Sequence, residues 1–119
     1  MKNILLLEDD PAITHLLKFK LTREGYSVSN FSNGENAANY LIENKTDLVI
    51  SDIMMPIING IALLKEIKAD KRISHIPVIL LSAISQDELV EEGLKAGAAG
   101  YLTKPFSVEE LLKTVKRLI

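Results

Sequence analysis

The segment Leu48-Val49-Ile50-Ser51-Asp52-Ile53-Met54-Met55-Pro56 is a short apolar run that ends on a carboxylate and then loses its regularity. Its apolar residues do not alternate with polar ones, which is the pattern of a strand covered on both faces, as in a parallel sheet. Outward from it, three other runs end in the same way. Ile4–Leu7 runs into Glu8-Asp9, Val78–Leu81 into Ser82, and Tyr101-Leu102 into Lys104. When strands lie parallel, all their carboxyl ends open on one edge, and residues far apart in sequence share one crevice there. Two or three carboxylates, a hydroxyl and an ammonium are therefore expected in one pocket.

Short apolar or β-branched runs alternate five times with helical patterns, predicting a doubly wound (βα)5 architecture around a parallel sheet. Asp10 is placed as N-cap and Pro11 at the first helical position. Ile13, Leu16, Leu17 and Leu21 then form an apolar stripe that Gly25 ends. Ser32-x-x-Glu35, Ser85-x-x-Glu88 and Ser107-x-x-Glu110 read as capping boxes, so helices two, four and five are expected to start near these serines. Tyr26–Asn30 alternates polar and apolar residues and reads as a half-exposed edge strand. Asn59-Gly60 opens a third helix with Ile61, Leu64 and Ile67 buried, and Gly97 closes the fourth. The last helix is expected to bury Val108, Leu111, Leu112, Val115 and Leu118, with no further domain after Ile119.

At 119 residues the chain fits a single domain, taken as 1–119, with no linker or repeat. Its 47% apolar and 25% charged residues suit a globular protein. A net charge of −2 lacks the basic excess of a nucleic-acid-binding domain, so no direct nucleic-acid contact is expected. Four apolar residues between Asn3 and Glu8 are too few for a signal-peptide core, and no apolar stretch approaches the ~20 residues of a membrane span. The expected location is cytoplasmic, without membrane contact. The absence of cysteine excludes disulfides and thiolate sites, leaving oxygen ligands for any metal. His15 and His75 read as surface residues away from the acids, and Lys113, Lys116 and Arg117 as cations favoured at a helix C-terminus.

If Glu8, Asp9 and Asp52 converge, two carboxylates about 4 Å apart repel by roughly 4 kcal/mol at an effective dielectric near 20. A bound cation removes that cost. A few carboxylates open to water and phosphate suit Mg²⁺ better than a Ca²⁺ cage. A metal beside a carboxylate and an ammonium equips a site for phosphoryl transfer, with Asp52 as nucleophile, Asp9 holding the metal, Lys104 neutralising phosphoryl oxygens and Ser82 donating a hydrogen bond.

These four motifs, Leu6-Leu7-Glu8-Asp9-Asp10, Leu48–Pro56, Leu80-Leu81-Ser82-Ala83 and Gly100-Tyr101-Leu102-Thr103-Lys104-Pro105-Phe106, resemble the receiver domain of two-component response regulators over the whole chain. The resemblance implies a flavodoxin-like fold with strand order 2-1-3-4-5, an order that general fold rules already illustrate with a receiver protein. It implies that a partner histidine kinase or phosphotransfer protein phosphorylates Asp52. Mg²⁺ is then bound by Asp9 and Asp52, by Glu8 through water, and by the backbone carbonyl of Met54. Lys104 becomes the phosphate-contacting lysine, followed by a cis peptide to Pro105. Ser82 and Tyr101 become a switch pair acting on a surface of helix four, strand five and helix five, where a downstream effector docks. Ala99 and Gly100 replace acidic residues common in receivers joined to winged-helix domains, so that subfamily's charged dimer contact is not expected. The chain is expected as a monomer or a weak phosphorylation-dependent dimer. Ile58-Asn59 replaces a commoner Met-Asp before Gly60 without touching a ligand.

Two other readings of the residues stay open at this stage. A Mg²⁺-dependent phosphohydrolase would use Asp52 as nucleophile but needs an acid two residues later, where Met54 stands. A receiver that binds partners without phosphorylation would keep the shape and not the chemistry. The expectation is therefore a phosphorylation-driven signalling domain whose only reactions are the phosphorylation and dephosphorylation of its own aspartate. Met54 and Ile84 are expected to shield the acyl phosphate from water.

Overall fold

Parallel pairing of the first strand with two neighbours sets the topology of the computed structural model, which describes residues Met1–Ile119. β1 (Asn3–Leu7) lies between β2 (Ser27–Phe31) and β3 (Leu48–Asp52), and the sheet continues through β4 (Val78–Ser82) to β5 (Gly100–Thr103). The order 2-1-3-4-5 and the five parallel strands are those of a flavodoxin-like doubly wound sheet, as the sequence led us to expect. The helices are α1 (Pro11–Arg23), α2 (Ala37–Glu43), α3 (Gly60–Ala69), α4 (Asp87–Lys95) and α5 (Val108–Leu118).

Side chains alternate across each strand, so the sheet feeds two cores. On one face Leu6, Ile50 and Leu81 pack with Leu17 and Leu21 of α1 and with Leu111 and Val115 of α5. On the other, Leu5, Val49 and Leu80 pack against α2, α3 and α4 through Leu41, Leu64 and Val90. All five residues of β3 and of β4 are buried, which accounts for their unbroken apolar character. β2, at the edge, is at most half-buried.

Helix punctuation follows the sequence at α1, α3 and α5, where Asn59 caps α3 by accepting from the Ala62 amide at 2.8 Å, and departs from it at α2 and α4. Asp10 caps α1 by accepting from the Ala12 amide at 2.9 Å, and the Ser107 hydroxyl caps α5 by accepting from the Glu110 amide at 3.0 Å. The boxes at Ser32 and Ser85 do not form. Asn33 instead accepts from the Glu35 amide at 2.9 Å, and α2 starts only at Ala37. Gln86 folds back to accept from the Ala83 amide at 2.7 Å, and α4 starts after it. In the first loop Asn33 captures the Glu35 amide that Ser32 was expected to cap, and in the second Gln86 turns back onto the Ala83 amide, ahead of the helix, and no side-chain cap forms at the start of α4. The apolar stripe of α1 is also narrower than expected: Leu17 and Leu21 are buried, Ile13 is half-buried and Leu16 stays 45% exposed. In α5 only Leu111 and Val115 are fully covered, with Val108, Leu112 and Leu118 half-buried.

Candidate functional site

Asp52 is the last residue of β3 and is buried to 7% relative exposure. The Ile53 amide donates to the Leu81 carbonyl at 2.9 Å, and the Gly60 amide closes back on the Ile53 carbonyl at 2.8 Å. This brings the start of α3 against the end of β3. A Cβ on Gly60 would collide with the Asp52 carbonyl oxygen and lie 3.0 Å from the Ile53 Cα, so the position requires glycine for close approach. Between them Ile58 donates to the Pro56 carbonyl at 2.8 Å, a γ-turn that holds the exposed Ile57 at a φ of 71°.

Glu8 follows β1 directly and is 2% exposed. Its carboxylate accepts from the Asp10 amide at 3.2 Å and from the Lys104 amine at 2.9 Å. Lys104 follows β5, its own amide anchored on the Ser82 carbonyl at 2.7 Å, and its peptide bond to Pro105 is cis. The same amine reaches Asp52 at 2.7 Å. Asp9 is exposed, yet one carboxylate oxygen from each of Glu8, Asp9 and Asp52 lies within 4.8 Å of the others. Three strands thus deliver three acids and one amine to one point.

The electrostatics of this cluster are strained on the acidic side. Burial, reinforced by the Asp52 charge, raises the Glu8 pKa above 4.5 despite the opposing hydrogen bonds from Lys104 and Asp10. Burial acts to lower the Lys104 pKa, but hydrogen bonds to Asp52 and Glu8 outweigh it, and the amine is held above its ordinary 10.5. One ammonium serves two buried carboxylates, with a third alongside. A donor set of carboxylate oxygens alone, carrying excess negative charge at the mouth of a crevice, fits a small hard divalent cation.

The remaining expected site residues fall around this cluster without all entering it. Ser82 is fully buried, but its hydroxyl faces Thr103, 3.4 Å away, and makes no hydrogen bond to Asp52 or Lys104. By strand alternation Ser82 shares a face with Leu80 and the α4 layer, whereas Asp52 shares a face with Ile50 and the α1 and α5 layer. Tyr101 is 46% exposed beside Leu80 in the strand register. The side chain of Met54 points to solvent, 59% exposed, and Ile84 is 70% exposed. His15 and His75 are both exposed. Thr103 was not singled out by the sequence, because a β-branched residue in a strand already has an adequate explanation.

Residues 4–116 match the response regulator receiver domain family. The chain belongs to that family. The receiver is 36% identical over 119 residues to the DNA-binding dual master transcriptional regulator RpaA of Synechocystis, a match covering 100% of this chain and 49% of that protein. It spans about half the length of the curated relatives it matches, several of which are transcriptional regulators. Among solved structures, the signal receiver domain of a histidine kinase from Syntrophus aciditrophicus superposes with a TM-score of 0.91 at 37% identity, covering 99% of this chain and 89% of that one. The receiver domain of sensor histidine kinase PA1611 from Pseudomonas aeruginosa PAO1 gives 0.89 at 30% identity, covering 98% and 96%, and carries a magnesium ion in its active site cleft. No helix of the receiver is long and apolar enough to cross a membrane.

Proposed function

We propose that this receiver takes a phosphoryl group onto Asp52 from a histidine kinase or phosphotransfer protein and uses it to alter a protein-binding surface. The observation that carries the reading is the Lys104 amine shared between Asp52 at 2.7 Å and Glu8 at 2.9 Å, with Asp9 completing the acidic cluster. Asp9 and Asp52 would hold Mg²⁺ directly, with Glu8 acting through water and the Met54 carbonyl as a further ligand. When bound, the ion supplies neutralisation of phosphoryl oxygens during transfer.

The chain's own groups account for the rest. A carboxylate oxygen of Asp52 attacks phosphorus in line, the bond from phosphorus to the donor atom breaks, and its electron pair leaves with the donor. Lys104 exchanges its contact with the free carboxylate for one with the incoming phosphoryl oxygens. Ser82 turns its hydroxyl toward the new group, Tyr101 repacks, and the surface of α4, β5 and α5 presents a different face to a downstream effector. We infer a cytoplasmic location, no direct contact with nucleic acid or membrane, and a monomer or weak phosphorylation-dependent dimer.

The test is incubation with a small acyl phosphate and Mg²⁺, followed by intact mass over time. A persistent single adduct supports the switch, continuous turnover without an adduct indicates a hydrolase, and no reaction indicates a scaffold.

A further inference from the structure

We propose that Thr103 is a positioning residue that holds the Ser82 hydroxyl in its resting place and so sets the free-energy cost of switching. The inference rests on the reading of Ser82 as the residue that turns toward the phosphoryl group. Ser82 and Thr103 are direct cross-strand partners in the parallel register of β4 and β5, two pairs beyond Leu80 and Tyr101. Their hydroxyl oxygens lie 3.4 Å apart, and this is the only side-chain hydrogen bond Ser82 makes. Ser82 is 0% exposed, so its hydroxyl has no access to bulk water and depends on that partner. Thr103 is exposed.

The asymmetry matters for a switch. When Ser82 leaves for a phosphoryl oxygen, its own buried hydroxyl exchanges one partner for a stronger, charged one. Thr103 loses its partner in a place where water replaces it at little cost. The contact is longer than an ordinary O–H···O bond of about 2.7–2.8 Å, so it biases the resting state without locking it. Thr103 also shares the strand face of Tyr101, two residues earlier, which places resting contact and ring on one side of β5.

The test uses beryllofluoride with Mg²⁺ as a non-hydrolysed phosphoryl mimic, its affinity read from amide chemical shifts for the wild type, Thr103→Val, Thr103→Ser, Ser82→Ala and the Ser82→Ala/Thr103→Val double variant. Thr103→Val keeps the shape and removes the hydroxyl. We expect it to tighten beryllofluoride binding by about two- to fivefold, the worth of one weak hydrogen bond. Thr103→Ser should behave as wild type, and the double variant should match Ser82→Ala, which binds more weakly. Weaker binding by Ser82→Ala together with unchanged or weaker binding by Thr103→Val overturns the role of Thr103 alone. An unchanged affinity in Ser82→Ala overturns the switch reading beneath it.

Discussion

The amine of Lys104 sits 2.7 Å from the carboxylate of Asp52, although the two residues are 52 positions apart and close different strands. With Glu8 on its other side, that amine is the only cation offsetting two buried acids. Stability and metal binding are thereby coupled.

Lys104→Met should expose that coupling. It leaves Glu8 and Asp52 as buried carboxylates without a counter-charge, and we expect a loss of about 2 kcal/mol or more in urea unfolding without metal. Millimolar Mg²⁺ should restore part of the loss, because a ligand that binds only the folded state stabilises it.

Glu8→Gln should do the opposite. Burial of the Glu8 charge, with the Asp52 charge adding to it, outweighs the hydrogen bonds from Lys104 and Asp10, and a neutral amide of the same shape escapes that burial cost. A net gain of about 1 kcal/mol in metal-free stability is expected, together with weaker Mg²⁺ binding by calorimetry. The gain should depend on pH. A carboxylate whose pKa is raised by folding contributes stability below its unfolded value near 4.5 and loses it as pH rises through the higher folded value. The advantage of Glu8→Gln should therefore grow as pH rises from 4.5 and level off above the folded pKa.

Gly60→Ala should damage the site from behind. The added methyl collides with the Asp52 carbonyl, and overpacking of this kind costs about 1–3 kcal/mol. Urea unfolding should register the loss, and an accompanying drop in Mg²⁺ affinity would show that the end of β3 had moved.

Met54 and Ile84 are exposed apolar residues, each two positions beyond a site residue, Asp52 and Ser82. If they limit the approach of water, replacing both with Asn should shorten the lifetime of the Asp52 adduct by about three- to tenfold, or roughly 0.6–1.4 kcal/mol of barrier. A lifetime equal to wild type would dissociate them from that role.

What could be read in advance divides along physical lines. β3 and β4 were legible because burial on both faces leaves an uninterrupted apolar run, and β2 because its edge position leaves an alternating one. The meeting of Glu8, Asp52 and Lys104 followed from parallel strands alone. The cap at Ser32 was misread because Asn33 takes the Glu35 amide, and the cap at Ser85 because Gln86 folds back onto the Ala83 amide and no side-chain cap forms at the start of α4, outcomes that depend on side-chain geometry. The pairing of Ser82 with Thr103 depends on the register of β4 with β5, which no single strand encodes.

Calorimetric titration of Mg²⁺ into the wild type, Asp9→Asn and Asp52→Asn tests the shared acidic cradle most directly. One site in the wild type, weakened at least about tenfold by either substitution, or about 1.4 kcal/mol, is the expected result. Equal Mg²⁺ affinity in all three proteins would contradict it.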